Sequence, residues 1–75
     1  MAREVQVLHE ERVGPHWLRI WRENGLIRSR MFIAPRTPRD WSLVVDSLLK
    51  PDAIEYEVAT FRKLVALREG RGEEG

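Results

Sequence analysis

Hydrophobic and polar residues alternate along two runs, His16 to Glu23 and Leu26 to Ile33, that meet at Asn24-Gly25. A period of two belongs to β-strands, whose successive side chains point to opposite faces. Asn-Gly between such runs is a strong hairpin signal. A two-residue type I′ turn needs φ > 0 at both central positions, and these two residues accept it cheaply. Counting outward from the turn, Glu23 faces Leu26, Arg22 faces Ile27, Trp21 faces Arg28 and Ile20 faces Ser29. Arg19 then faces Arg30, Leu18 faces Met31, Trp17 faces Phe32 and His16 faces Ile33. This register sorts the side chains onto two faces. One carries Leu18, Ile20, Ile27, Ser29, Met31 and Ile33, with His16 and Arg22 at its ends, and reads as a core. The other carries Trp17, Arg19, Trp21, Arg28, Arg30 and Phe32.

A first strand is expected before the hairpin, over residues 3–13, with Val5, Val7 and Val13 inward and Leu8 interrupting the alternation. Gly14-Pro15 ends it, because Pro cannot donate to a ladder and Gly permits the turn. After the hairpin, the prolines of Ala34-Pro35-Arg36-Thr37-Pro38 keep that segment out of a sheet. Thr37 is placed as an N-cap, with Pro38 at the first helical position and Asp40 at N3, a capping-box arrangement. Trp41, Val44, Val45 and Leu48 then recur at helical spacing, which predicts a first helix closed by Leu49-Lys50-Pro51. Asp52 and Glu55 repeat the cap logic for a second helix from about Ala53 to Glu69. Its apolar positions are Ile54, Val58, Phe61, Leu64 and Val65, with Ala59 and Leu67 on the same side. Acidic residues stand at its start, basic ones at its end, and Gly70 is at C′. The expected architecture is α+β: a three-stranded antiparallel β-meander followed by two α-helices packed on one face, β-β-β-α-α. Residues 1–70 form one domain and 71–75 a flexible tail.

Seventy-five residues build only a marginal core, of the kind often supplemented by disulfides, a metal or a partner. The chain has no cysteine, which removes disulfides and thiolate metal sites together. Its imidazoles, His9 and His16, have no clustered carboxylates beside them, so no metal and no cofactor are expected, and self-association becomes a natural source of stability. No apolar run is long enough to span a membrane and no signal-peptide pattern is present, so a cytoplasmic protein without membrane association is expected. The net charge of +1 conceals a polarised distribution. Arg3 against Glu4, Glu10 and Glu11 gives residues 1–11 a charge of −2, and seven Arg against Glu23 alone give residues 12–39 +6. Five basic and eight acidic residues give residues 40–75 −3. A basic hairpin within a nearly neutral chain points to an anionic partner.

Trp17, Arg19, Trp21, Arg28, Arg30 and Phe32 therefore form the candidate site. Arg19 opposite Arg30 is unfavourable unless something neutralises the pair. Guanidinium groups interleaved with aromatic faces suit nucleic acid, with phosphates on Arg and bases or sugars on the rings. A two-stranded ribbon also fits the major groove of duplex DNA, and neutralising three to five phosphates there implies a log–log salt slope of about −3 to −5. The same residues also suit two roles that involve no nucleic acid. Trp and Arg are favoured in protein interfaces, so the face would equally suit a homo-oligomer or an accessory subunit of a larger complex. Arg stacked on Trp needs no ligand at all, and the first helix, with Trp41, would be able to fold over Trp17 and Phe32. An enzyme is not expected, nor is a small-molecule substrate. Ser29, Ser42 and Ser47 occupy no nucleophile-bearing turn, His16 reads as a strand-end side chain, and Gly14 and Gly25 are single turn glycines.

Gly14-Pro15-His16-Trp17, Trp21-Arg22-Glu23-Asn24-Gly25 and Arg28-Ser29-Arg30-Met31-Phe32-Ile33-Ala34-Pro35 resemble two known groups. One is the three-stranded arm-type DNA-binding domain of tyrosine recombinases, akin to plant AP2-type domains. There a sheet bearing Arg and Trp lies in the major groove with a helix behind it. The other is a family of short bacterial and archaeal proteins of uncharacterised role, often near mobile elements, which also carry a helix similar to residues 61–68. The resemblance covers roughly residues 13–35 and 56–69, and implies that Arg19, Trp21, Arg28 and Arg30 face DNA. The chain departs from these patterns in lacking a cysteine pair ahead of Gly-Pro and in the insertion after the hairpin. Without a catalytic domain, the resemblance implies a stand-alone binder and not a recombinase.

Overall fold

Four strands and one long helix follow one another in a computed structural model that describes residues 4–70. They are β1 (Val5–Val13), β2 (His16–Glu23), β3 (Leu26–Ile33), β4 (Leu43–Leu49) and α1 (Ile54–Arg68), the helix entered through a 3₁₀ turn at Pro51–Ala53. The strands form one antiparallel sheet in the order β1-β2-β3-β4. The tail expected at residues 71–75 lies outside the described residues.

The central hairpin has the expected geometry. Asn24 and Gly25 both have positive φ (55° and 78°), as a type I′ turn requires. The ladder runs from Glu23–Leu26 to Trp17–Phe32 in the register counted outward from that turn. Beyond its last pair, the His16 ring takes over: Nδ1 accepts the Ala34 backbone N–H at 2.9 Å. The ring proton is therefore on Nε2, which donates to Glu69 Oε2 at 3.1 Å and ties the helix C-terminus to the sheet.

The expected three strands and two helices are corrected to four strands and one helix. Residues 37–50 contain no helix. The capping box forms only in half: the Asp40 carboxylate accepts the Thr37 N–H at 3.0 Å, but the Thr37 hydroxyl accepts from the Arg39 N–H at 3.3 Å and the Asp40 N–H donates to the Thr37 carbonyl at 3.0 Å. It closes a single turn, and the chain then extends into β4. Leu43 to Leu49 supports both periods, helical through Val44, Val45 and Leu48 and alternating through Leu43, Val45, Ser47 and Leu49. Three facts favour the strand. The run is only seven residues long, it contains adjacent β-branched valines, and β3 has an outer edge whose backbone groups need partners. Pairing of β4 with β3, Leu43 opposite Ile33 through Leu49 opposite Ile27, supplies them.

Two smaller corrections concern β1 and α1. Val5 and Val7 do not point inward; both are exposed on the face away from the helix. The ladder shifts register between Val7 and His9, a β-bulge at Leu8, so residues before it have the opposite facing to that implied by Val13. Leu8 itself packs against the core. In α1, Ala59 and Leu67 lie on the exposed side, and Asp52 provides no side-chain cap because the 3₁₀ turn leads directly into the helix.

The core is the hairpin's apolar face covered by the helix: Leu18, Ile20, Ile27, Met31 and Ile33 against Phe61 and Val65. Leu8, Val13, Val45, Leu49, Ile54, Val58 and Leu64 ring it. Ser29 is the small residue that lets α1 approach the sheet centre. Its hydroxyl donates to Glu57 Oε2 at 2.6 Å, and both residues are buried. At the rim, Arg62 donates two hydrogen bonds to Glu11, at 2.8 and 3.0 Å, fastening the helix to β1. Chiefly through these bonds, and also through His9, Glu11 is held below the usual carboxylate range. Among the described residues, no helix is long and apolar enough to cross a membrane.

Phe61→Ala should cost about 3–5 kcal/mol in denaturant unfolding, enough to leave so small a domain largely unfolded. Ser29→Ala should cost about 1–3 kcal/mol by leaving the Glu57 carboxylate without its donor, and Ser29→Ala/Glu57→Met should recover much of it in a double-mutant cycle. The lowered Glu11 pKa contributes stability that is fully present above the unfolded-state value of about 4.3 and lost as pH falls through the folded value. Glu11→Gln should lower the urea midpoint at neutral pH and flatten part of its fall in acid.

Candidate nucleic-acid interface

Because α1 lies across one face of β2 and β3, the opposite face is left open, and alternation fixes what it carries. Trp17, Arg19 and Trp21 of β2 stand beside Phe32, Arg30 and Arg28 of β3, all six on this face. Side chains from the outer strands complete three rows across the sheet. The first is Arg12, Trp17, Phe32 and Val44; the second Glu10, Arg19, Arg30 and Asp46; the third Val7, Trp21, Arg28 and Leu48.

The middle row removes the conflict implied by Arg19 opposite Arg30. Arg19 donates through Nε and Nη2 to Glu10 Oε2 at 3.0 and 2.7 Å. Arg30 donates through Nε to Asp46 Oδ1 at 2.6 Å and through Nη2 to Oδ2 at 3.2 Å. Each cation is drawn outward to a carboxylate on an edge strand, giving the order −, +, +, −. Hydrogen bonding to Arg30 lowers the Asp46 pKa, and the same bond raises that of the Arg30 guanidinium. Neither carboxylate is recognisable from sequence as part of the site. Asp46 falls within the expected first helix, and the alternation around Glu10 does not specify its neighbour.

The flanking rows hold the aromatic surface. Trp17 and Phe32 stack with ring centroids 6.2 Å apart and planes inclined by 27°. Trp21 donates its indole N–H to Glu23 at 3.0 Å. All three rings are half-buried by their neighbours. Trp41 does not cover them; it sits in the connector before β4 and is 83% exposed. Arg12 and Arg28 have no ion pair among the described residues. A shallow groove of about 670 Å³ runs over β1 and β2, bordered by Val7, Glu10, Arg12, Trp17, Arg19 and Trp21.

The other chemistry-bearing residues are elsewhere. Ser29 and His16 lie on the helix side, with hydrogen bonds to Glu57 and to Ala34 and Glu69. Ser47 also faces that side, from β4, opposite Ser29. Among the described residues, no three His, Asp or Glu side chains converge as metal ligands would.

Compared with known protein families, curated proteins and solved structures, the chain matches none.

Proposed function

We propose that the open face of the sheet binds single-stranded nucleic acid. The observation that carries this reading is the aromatic set Trp17, Phe32 and Trp21 on an uncovered face, flanked by Arg12 and Arg28 with no ion pair among the described residues. Bases of any sequence can stack on such rings while guanidinium groups meet the phosphates. The fourth strand favours single strands over the duplex expected from the hairpin alone. Strands spaced roughly 4.8 Å apart make a four-stranded sheet about 14 Å wide between its outer backbones, already more than the ~12 Å major groove that accepts a two-stranded ribbon.

The ion pairs also change the expected electrostatics. Arg19 and Arg30 are engaged by Glu10 and Asp46, so Arg12 and Arg28 make the first phosphate contacts. Neutralising two phosphates on a single strand gives a log–log salt slope of about −1.4. Glu10→Gln/Asp46→Asn frees Arg19 and Arg30, and should tighten binding and steepen the slope to about −2.8.

The test is a titration of tryptophan fluorescence with a twelve-nucleotide homopolymer and with a duplex of equal length, at two salt concentrations. Quenching by the single strand should exceed that by the duplex. Trp17→Ala or Trp21→Ala should weaken binding by about 1–3 kcal/mol per lost stack. No quenching in low salt, or a carboxylate variant that binds no better, would refute the reading.

A protein partner is the second reading. It is favoured by Val5, Val7, Val44 and Leu48, all exposed on the same face. It predicts that the face shows no preference for single strands and is shielded from quenchers in the assembled complex.

A further inference from the structure

The two edges of the sheet are unlike. β1 is protected as exposed edges commonly are: a bulge at Leu8 interrupts its ladder, and Gln6, Glu10, Glu11 and Arg12 place polar or charged groups along it. β4 has no such protection. Leu43 to Leu49 contains no Pro, Gly, Lys or Arg, its ladder with β3 is regular, and its one charge, Asp46, is turned back onto Arg30. An edge strand directs alternate N–H and C=O groups outward, and no described element pairs with the outer side of β4. Val44 is 55% exposed and Leu48 64%.

We propose that β4 pairs with β4 of a second copy of this chain, antiparallel and centred on Asp46, joining two sheets into one of eight strands. The strand is complementary to itself in that register. Leu43 falls opposite Leu49, Val44 opposite Leu48 and Val45 opposite Ser47, on both sides of a two-fold axis. The two Asp46 side chains meet at the centre, each already neutralised by its own Arg30 at 2.6 Å. The same count carries Trp41, 83% exposed just before the strand, to a position opposite Pro51 of the second copy, where it would gain an apolar neighbour. A two-fold edge pairing leaves both helices on one side and both open faces on the other. It rests on the strand edge alone and stands or falls independently of what the open face binds.

The test uses the full-length chain without ligand. The wild type should sediment as a concentration-dependent dimer. Val44→Lys/Leu48→Lys places like charges opposite one another at both flanking positions and should give a monomer. Val44→Lys/Leu48→Glu places opposite charges there and should restore the dimer, which also shows that substitution at these exposed sites leaves the fold intact. Because the chain has no cysteine, Asp46→Cys provides an independent reading. Directly opposed strand positions lie about 4.5–5.5 Å apart between Cα atoms, within disulfide range, so oxidation should yield a cross-linked dimer while Val44→Cys should not. A wild type monomeric at every concentration, a dimer that survives the two lysines, or failure of the Lys/Glu pair to restore it would overturn the proposal.

Discussion

A single helix of fifteen residues can cover one face of a four-stranded sheet, and that constraint shapes the rest of this molecule. Phe61 and Val65 seal the apolar face of the central hairpin, and Ser29 keeps the sheet surface low enough at its middle for Glu57 to be bonded while buried. The helix is then pinned twice at its C-terminal end, by His16 to Glu69 and Arg68 to Asp40, and once along its flank, by Arg62 to Glu11. Nothing remains in the described chain to cover the other face. Its aromatic and charged side chains must be stabilised by one another or by something from outside.

They are stabilised largely by one another, and this changes the meaning of the paired arginines. Two guanidinium groups opposed on a hairpin look like an empty anion site when only that hairpin is considered. In the four-stranded sheet they are the inner members of a charge row closed by Glu10 and Asp46. Exposed ion pairs of this kind hold side chains in place more than they stabilise the fold. The row therefore acts as an orienting device that keeps the aromatic rings on both sides of it apart. Any anionic ligand has to compete with two carboxylates before it gains Arg19 or Arg30.

Much of this is legible in the sequence where the deciding information is local. Asn24-Gly25 specifies its own turn, and the turn specifies the register of the strands it joins. Phe61, Val65 and Gly70 mark one helix face and its end. The failures share one physical cause. Whether Leu43 to Leu49 becomes helix or strand depends on whether β3 has a free edge, and the seven residues themselves fit both periods. Thr37 and Asp40 form half of the capping box that their spacing suggests, yet a nucleated turn propagates only if the following residues gain more as helix than as a fourth strand. The bulge at Leu8 shows in the sequence only as an interrupted alternation, because an extra residue in a strand is defined by its partner. With β4 hidden, Asp46 is hidden too, so three rows of side chains look like pairs.

The sequential strand order has a consequence for the way the chain is made. Each strand pairs with the one immediately before it, so a ribosome releasing the chain from its N-terminus supplies every strand with its neighbour already present. The residues that close the core arrive only after all four strands. Until Phe61 and Val65 emerge, Leu18, Ile20, Met31 and Ile33 line a sheet with both sides wet. During that interval the first three strands depend on their two tight turns for order, and the helix converts a reversible ribbon into a folded domain. Protection from premature association in the nascent chain thus waits for α1, which follows all four strands.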